Sequence, residues 1–335
     1  MESLKSLTWY RDRDAARRGE PGIVHSYMAS EATVLHHLSG ALDPVWLMGS
    51  SGFAFRIMAS PTLCPSAMSV FQWRKVLPEA FEQVGYGCTH ISRLWDEGES
   101  DAERREEAHR CITESLDSGV PCVVWDMHQS EWGVISGYNH RLQVYLGLSY
   151  LGEPVSLPFD NLGRNGIDIL SVIIPGNRTY QSKSEAVLRA LRTAVDHADQ
   201  RKWNDRPKYQ DGPLAYDAWS TALGRWADIV ERGDPDRIGV DICAHARYYA
   251  SHYFSARCYA REFLASIAGD ISDLVRATKC FADTAVCLRP VWNDSPRSRD
   301  AESVVLKTLS SAVRDAKAAE SEGIEYIRNY LATCQ

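Results

Sequence analysis

The chain has 335 residues, of which 44% are apolar and 24% are charged, and its formal net charge is −7. A chain of this length is expected to form two domains, each with its own core. The acidic balance argues against a nucleic-acid-binding surface, which needs clustered positive charge. No stretch reaches 18 uncharged apolar residues and the first residues have no apolar core. We therefore expect a soluble, cytoplasmic protein with no membrane span and no signal peptide.

Nine cysteines are scattered along the chain without a C-x-x-C pair, at positions 64, 88, 111, 122, 243, 258, 280, 287 and 334. With no secretory signal, they are predicted to be reduced thiols. No Cys/His pair has the spacing of zinc ligands. The sequence therefore predicts neither a metal nor an organic cofactor.

The first half of the chain predicts strands that alternate with helices. Residues 45–58 contain the turn Gly49-Ser-Ser-Gly52 and then an apolar run, which predicts a turn followed by a strand. The predicted helices are 27–39, with Ser26 as its N-cap, 66–84 and 101–116. Apolar runs bounded by turn residues predict four further strands, at 121–125, 131–138, 142–149 and 169–174.

The second half of the chain is predicted to be a helical bundle. The polar, turn-rich segment 175–185 is the predicted linker. After it, apolar residues recur at three- and four-residue spacing, which is typical of bundle helices. The predicted helices are 184–202, 213–231, 239–268, 270–289 and 299–333. The prediction is thus an α+β domain over 1–177 followed by an all-α bundle over 184–335.

The densest group of ionisable residues lies where two predicted strands meet. Asp126, His128 and Glu131 fall within six residues, between Trp125 and Trp132. They could supply an acid, a base and an orienting carboxylate, with the two tryptophans binding substrate. They could also hold a metal ion, or form no more than a solvated hairpin turn.

Two candidate nucleophiles lie outside this group. Ser26 opens a predicted helix, where the dipole and unpaired N–H groups favour an oxyanion, although serine is also a common N-cap. Cys64 precedes Pro65 at another predicted helix start, where a thiol can be reactive, although most cysteines are structural.

The helical half offers four aromatic or imidazole side chains as candidate substrate-binding residues. Tyr216 and Trp219 share one face of a predicted helix, and Tyr249 and His252 lie on the next helix. Core packing is the ordinary interpretation, although a ligand cleft between the domains would use the same faces. His245 and His252 are about 10.5 Å apart along a helix axis, which is too far for both to bind one metal ion.

Several segments resemble known families. Ser26-Tyr-Met-Ala-Ser-Glu-Ala-Thr-Val-Leu-His-His-Leu-Ser-Gly40 is similar to the nucleophile helix of papain-like bacteriocin-processing peptidases, which a cysteine opens. Glu131-Trp-Gly-Val-Ile-Ser-Gly-Tyr138 resembles the strand that carries their catalytic histidine.

From about residue 24 to 265, the chain resembles proteins that contain the N-terminal domain of butirosin biosynthesis protein H. The segments that carry this resemblance are Leu47-Met-Gly-Ser-Ser-Gly-Phe-Ala-Phe-Arg56, Cys64-Pro-Ser66, Trp125-Asp126, the strand from Glu131 to Tyr138, and Gly212-Pro-Leu-Ala-Tyr-Asp-Ala-Trp219. The resemblance implies a papain-like fold with a helical domain. It also implies an acyltransferase of antibiotic biosynthesis, because the named member of that family moves an acyl group from a carrier protein to an aminoglycoside amine.

Two replacements separate this chain from the peptidases, because serine stands in the cysteine position and Glu131 in the histidine position. A carboxylate is a poor base for a hydroxyl near neutral pH, so a functional cysteine peptidase is not expected. Our first hypothesis is a non-proteolytic acyl- or amide-transfer enzyme of secondary metabolism, with its site in the first domain facing the helical domain.

Two mechanisms are compatible with this hypothesis. Either Ser26 or Cys64 carries the acyl group, or Glu131, with Asp126 or His128, deprotonates an incoming amine. The missing Cys/His pair favours the second mechanism, in which Ser26→Ala is tolerated. The alternative hypothesis is a papain-like fold that has lost catalysis and binds a ligand or partner. The expected partners are a small-molecule substrate and an acyl carrier protein, and a homo-oligomer is compatible with the sequence.

Overall fold

The computed structural model describes residues 7–200, 203, 208–233, 242–295 and 302–334. Their helices are α1 (Arg13–Arg17), α2 (Ser26–Ser39), α3 (Pro44–Ser50), α4 (Trp73–Gln83), α5 (Asp101–Asp117), α6 (Lys183–Ala198), α7 (Gly212–Glu231), α8 (Ile242–Ala268), α9 (Ser272–Asp294) and α10 (Ser303–Thr333). Their strands are β1 (Met58–Ala59), β2 (Tyr86–Arg93), β3 (Cys122–His128), β4 (Glu131–Asn139), β5 (Val144–Leu148), β6 (Pro154–Pro158), β7 (Leu170–Arg178) and β8 (Gln210–Asp211). This mixture of helices and strands confirms the predicted α+β class.

Contacts between Cα atoms divide the chain into two compact units. The first lies within Met1–Arg13, Ile23–Leu47 and Trp73–Gln181, and the second within Asp14–Gly22, Met48–Gln72 and Ser182–Gln335. The first unit is therefore discontinuous in sequence. The predicted domain boundaries, 1–177 and 184–335, stay a prediction.

A six-stranded antiparallel sheet forms the centre of the first unit, in the order β2-β7-β3-β4-β5-β6. All four strands predicted for this region are present, with shifted ends. The sequence missed the two edge strands, β2 and β6. Strand β2 (YGCTHISR) lacks an apolar alternation because it is only partly buried. Proline stands at both ends of β6, which is tolerated at a sheet edge but obscures a strand in the sequence.

Helices cover the sheet of the first unit. Helix α5 contributes Ile112 and Leu116 to a core that also contains Val124, Ile135 and Leu170 from the sheet. Helix α2 packs on β3 and β4, and α4 packs on β2. Every residue of α2 from Ser26 to Leu35 is buried, so this helix lies in the interior of the unit. The predicted helices over 27–39 and 101–116 are both confirmed.

The second unit is a helical bundle around an irregular segment. Helix α10 packs on α6, α7 and α9, and α8 packs on α9. The predicted helices of this half are present within the described residues, although parts of 184–202, 239–268 and 299–333 lie outside them. Among the described residues, we find no helix that is both long and apolar enough to span a membrane.

The irregular segment is 51–72, most of whose residues are buried in the second unit. Of the turn and strand predicted in 45–58, the strand is reduced to the two residues of β1. Helix α3 covers the residues before it, including the first part of the predicted turn. Backbone groups in this segment are paired by bundle side chains. Nε2 of His197 lies 2.9 and 2.8 Å from the N and O atoms of Ile57, and the Tyr253 hydroxyl bonds both backbone polar atoms of Met58.

The helix predicted over 66–84 is wrong in its first half. The structure has a short 3-10 helix, Pro65–Ser69, and α4 begins only at Trp73. The buried guanidinium of Arg56 donates to the carbonyls of Ala67 (2.7 Å), Met68 (2.7 Å) and Val70 (3.0 Å). A continuous helix would use these carbonyls in its own hydrogen bonds, so the side-chain contacts replace helical ones.

A buried ion pair connects three helices of the bundle. The guanidinium of Arg257 (α8) donates to both carboxylate oxygens of Glu320 (α10), at 2.5 and 2.6 Å. The Tyr216 hydroxyl (α7) donates to the same carboxylate at 2.6 Å. Arg257 also donates to the backbone carbonyls of Arg56 and Ala54, so its charge is fully coordinated.

We predict that Glu320→Ala lowers the free energy of unfolding by about 3 to 5 kcal/mol, because it leaves the Arg257 charge buried without a partner. Urea denaturation followed by circular dichroism measures this change. The matched control is Glu322→Ala on the exposed side of the same helix, with an expected change within about 0.5 kcal/mol. Equal midpoints for the two variants would contradict the prediction.

Candidate active site

Ser26 and Glu131 form a direct contact although 105 residues separate them. The Ser26 hydroxyl donates a hydrogen bond to Oε2 of Glu131 at 2.5 Å, and only 5% of Ser26 is exposed. The prediction that Ser26 is the N-cap is wrong. The helix begins one residue earlier, with His25 as N-cap, and a carboxylate is a stronger acceptor for the hydroxyl. Ser26 is thus the first helical residue of α2.

A tight hairpin turn places Glu131 at this contact. Glu131 is the first residue of β4 and is paired with His128, the last residue of β3. The two turn residues between them, Gln129 and Ser130, both have positive φ angles, of 58° and 54°. This is the pattern of a type I′ turn, whose twist matches that of the flanking strands. Because α2 packs on β4, the start of the strand meets the start of the helix.

Asp126 fixes the shape of this turn. Its carboxylate is 1% exposed and accepts hydrogen bonds from the backbone N–H groups of Ser130 (2.8 Å), Gly166 (2.5 Å) and Ile167 (2.8 Å). A Cβ atom on Gly166 would lie 2.6 Å from Oγ of Ser130, so a larger residue there would displace that hydroxyl. The structure gives Asp126 a positioning contact next to Glu131, and its predicted catalytic role stays a prediction.

Trp125 and Trp132 lie in an aromatic cluster behind the Ser26–Glu131 pair. Together with Trp73 they form a group of three indoles, with ring centroids 5.0 to 5.3 Å apart. The backbone N–H of Trp132 points to Oγ of Ser26 at 3.4 Å. Among the described residues, Nε1 of Trp125 and Nε1 of Trp132 have no hydrogen-bond partner, although both are buried. Their predicted role in substrate binding stays a prediction.

Glu31 is a buried acid that the sequence interpretation missed. It lies on α2 with no exposed surface, and neither carboxylate oxygen has a hydrogen bond at normal geometry within the described part of the chain. Burial raises the pKa of Glu31 to about 8, an effect that the nearby Tyr27 hydroxyl partly offsets. Burial, and then the proximity of Glu31, raises the pKa of Cys88 to about 12. The available signal was one glutamate within an otherwise apolar or small-residue stretch of helix.

Cys64 lies in the second unit. It immediately precedes Pro65, which begins the 3-10 helix, so the predicted helix start is present but the helix is short. Its backbone N–H donates to Oγ of Ser60 at 2.7 Å, and its carbonyl accepts from the Tyr249 hydroxyl at 2.9 Å. The thiol is half-buried, and its proposed role as nucleophile stays a prediction.

The four candidate substrate-binding residues of the helical half are all buried within the bundle. Tyr216 bonds Glu320, and Tyr249 bonds the irregular segment. Trp219 packs its indole against the rings of Tyr249 and Tyr253. Nδ1 of His252 lies 2.7 Å from the carbonyl of Tyr248, and burial lowers the pKa of His252 to about 4. The contacts are those of core residues, while substrate binding stays a prediction.

Among the residues whose positions are described, no three His, Cys, Asp or Glu side chains are arranged to hold a metal ion. Comparison with protein-family models and with curated proteins finds no match for this chain. The function of the Ser26–Glu131 site is therefore inferred from its geometry.

We predict that Asp126→Ala lowers the free energy of unfolding by about 2 kcal/mol or more, because it leaves three backbone N–H groups without their acceptor. Chemical denaturation measures the loss. Asp160→Ala is the matched control, since that carboxylate is exposed on the neighbouring loop and its loss is expected to have little effect. A variant as stable as the control would show that the turn does not depend on Asp126.

We predict that Glu31 contributes a fall in stability as the pH rises through the interval between about 4.5 and about 8, because folded Glu31 keeps its proton over that range while unfolded glutamate loses it. The buried neutral histidines His197 and His252 contribute in the opposite sense, so the Glu31 contribution is read from the difference between variants. Glu31→Gln mimics the protonated acid and should reduce this fall by a few kcal/mol. Unfolding free energies at pH 5 and pH 8 give the comparison. Glu106→Gln, at an exposed site on α5, should show the same change in unfolding free energy between pH 5 and pH 8 as the wild type.

Proposed function

We propose that this chain is a non-proteolytic acyl- or amide-transfer enzyme of secondary metabolism whose active site is the Ser26–Glu131 pair. The observation that carries the proposal is the 2.5 Å hydrogen bond from the Ser26 hydroxyl to Oε2 of Glu131. A hydroxyl that donates to a neighbouring base is the arrangement of an activated nucleophile. The antibiotic-pathway assignment rests on the resemblance described above.

A papain-like arrangement is part of the proposal. Ser26 begins a buried helix, and Glu131 begins a strand on which this helix packs. These are the places that the resemblance implies for the cysteine and the histidine of the peptidases. The contact between the two side chains supports the idea that serine and glutamate have replaced that pair at the same site.

The contact favours the covalent mechanism over the direct one that the sequence favoured. In the direct mechanism Glu131 accepts its proton from an incoming amine, but Oε2 is engaged by the Ser26 hydroxyl. The hydroxyl is therefore a source of a proton in direct contact with this carboxylate. In the covalent mechanism the Ser26→Ala variant is expected to be inactive, whereas the direct mechanism would tolerate this substitution.

The reaction then has two steps. In the first, Oγ of Ser26 bonds to the acyl carbon of a thioester, its proton passes to Glu131, and the C–S bond breaks as the thiolate leaves and takes up a proton. In the second, an amine attacks the Ser26 ester, a C–N bond forms, and the C–Oγ bond breaks. The amine proton passes by way of Glu131 to Oγ. Neither step needs a metal or an organic cofactor.

The surroundings of Ser26 suit this chemistry. First-turn N–H groups of an α-helix have no partner within the helix and can stabilise an oxyanion. The N–H of Trp132 adds a donor 3.4 Å from Oγ. The low exposure of Ser26 and the adjacent indoles limit access of water, which favours transfer to an amine over hydrolysis. A carrier-protein thioester and a small amine are the proposed donor and acceptor.

We predict that acetyl N-acetylcysteamine thioester, a small thioester probe, acylates the wild-type protein at Ser26. Intact-mass analysis and peptide mapping detect the adduct. Ser26→Ala should give none, and Glu131→Gln should form it at least about 100-fold more slowly because it lacks the base. Ser39→Ala, at the other end of α2, is the matched control and should be acylated at the wild-type rate.

No adduct on the wild type, or an adduct on Cys64 instead of Ser26, would contradict the proposed site. The second candidate function is then a papain-like fold that has lost catalysis and binds a ligand or partner. Within the described residues, the buried indole N–H groups of Trp125 and Trp132 have no partner, which favours this alternative because they offer donors to a bound molecule. Saturable binding of the thioester probe without turnover would support it.

A further inference from the structure

His128 lies directly across the hairpin from Glu131. The two residues form the last pair of the β3–β4 ladder, on either side of the two-residue turn. Side chains of directly opposed residues project from the same face of a sheet, with Cβ atoms about 4.5 to 5.5 Å apart. The hairpin therefore fixes an imidazole beside the carboxylate that contacts Ser26.

Exposure is greater at the two hairpin residues than at Ser26. Ser26 is nearly buried, whereas Glu131 and His128 are both partly exposed. In the proposed reaction a proton that leaves Ser26 passes first to Glu131, and the partly exposed imidazole of His128 lies next to that carboxylate. Within the described part of the chain, no hydrogen bond, ion pair or ring contact engages the His128 side chain, so it is available for proton transfer.

The other ionisable side chains near Glu131 are less suited to this task. Asp126 already accepts three backbone hydrogen bonds. Burial and the nearby Glu131 charge raise the pKa of Tyr150, whose hydroxyl donates to Gln129, so that phenol keeps its proton. His25 is adjacent to Ser26 in sequence, but it is buried. His25 is therefore the competing histidine that an experiment has to separate from His128.

Imidazole chemistry also compensates for the weakness of a carboxylate base. A free histidine holds its proton about two pH units higher than a free glutamate, so transfer from a carboxylic acid to an imidazole is downhill. We propose that His128 relays the proton from Glu131 to the leaving thiolate during acylation, and from the attacking amine to Glu131 during transfer. This inference rests on the proposed function of the Ser26–Glu131 pair.

With the relay, the covalent bonds that form and break in the two steps of the acyl transfer are the same as those described above. During acylation the proton moves from Oγ of Ser26 to Glu131, then to a ring nitrogen of His128, and finally to the departing thiolate. During transfer to the amine it returns in the opposite direction, from the amine to His128, to Glu131 and to Oγ. His128 therefore exchanges protons with the leaving thiolate and the attacking amine but forms no covalent bond to the acyl group.

The test compares acyl-enzyme formation and decay in three variants, with acetyl N-acetylcysteamine thioester as donor and glycinamide as acceptor. We expect His128→Gln to slow both steps by about 10- to 100-fold, and added imidazole to restore them in part. Glu131→Gln should be slow and insensitive to imidazole. His25→Gln should show no imidazole-dependent rate.

A His128→Gln variant that reacts at the wild-type rate would overturn the relay. So would a slow variant that imidazole does not restore while its thermal unfolding remains that of the wild type. An imidazole-dependent recovery confined to His25→Gln would assign the role to His25. If the wild type forms no acyl-enzyme at all, the proposed function itself fails and the relay fails with it. If the wild type is acylated at Ser26 and His128→Gln reacts at the same rate, the relay is wrong but the proposed function stands.

Discussion

Buried backbone groups outside helices and sheets need side-chain partners, and this need shapes both units of the protein. In the first unit, Asp126 accepts three N–H groups and so fixes a hairpin turn and a neighbouring loop. In the second, Arg56, His197, Tyr249, Tyr253 and Arg257 pair the backbone of one irregular segment. Burial keeps His197 neutral by lowering its pKa to about 3, so it can bond the backbone without an unpaired charge.

The proposed active site depends on the first of these arrangements. Ser26 gains its position from the start of a buried helix, whereas Glu131 gains its position from a turn. A turn of only two residues leaves little freedom in the placement of the residue that follows it. Asp126 contributes to the site through geometry, since its own oxygens are occupied by amides. The proposed chemistry thus depends on a carboxylate that the substrate does not need to contact.

The sequence predicted correctly those helices and strands whose formation depends on the residues within them. The apolar and charged residues of α2 and α5 fixed these helices, and the central strands β3, β4, β5 and β7 followed from their apolar runs. The misses have distant causes. Arg56 takes the carbonyls that a helix over 66–84 would have used, and the partner of Ser26 lies 105 residues away. Neither contact has a signature in the neighbouring sequence.

The site was predicted in part for the same reason. The hairpin residues and Ser26 stood out as separate candidates, and the resemblance suggested that they belong together. Glu31 did not stand out, because a single glutamate in a helix is ordinarily solvent-exposed and burial depends on what packs around it.

The irregular segment has a consequence for the order of folding. Its hydrogen-bond partners lie far along the chain, 140 residues away for His197, 195 for Tyr253 and 201 for Arg257. During synthesis from the N-terminus, the irregular segment 51–72 emerges long before the helices that bury it. Its apolar residues stay without their native partners until α8 is complete, although the chain on either side of residues 48–72 belongs to the first unit. Contacts of such long range make folding slow. They also leave apolar surface exposed during translation, when it can aggregate or bind chaperones.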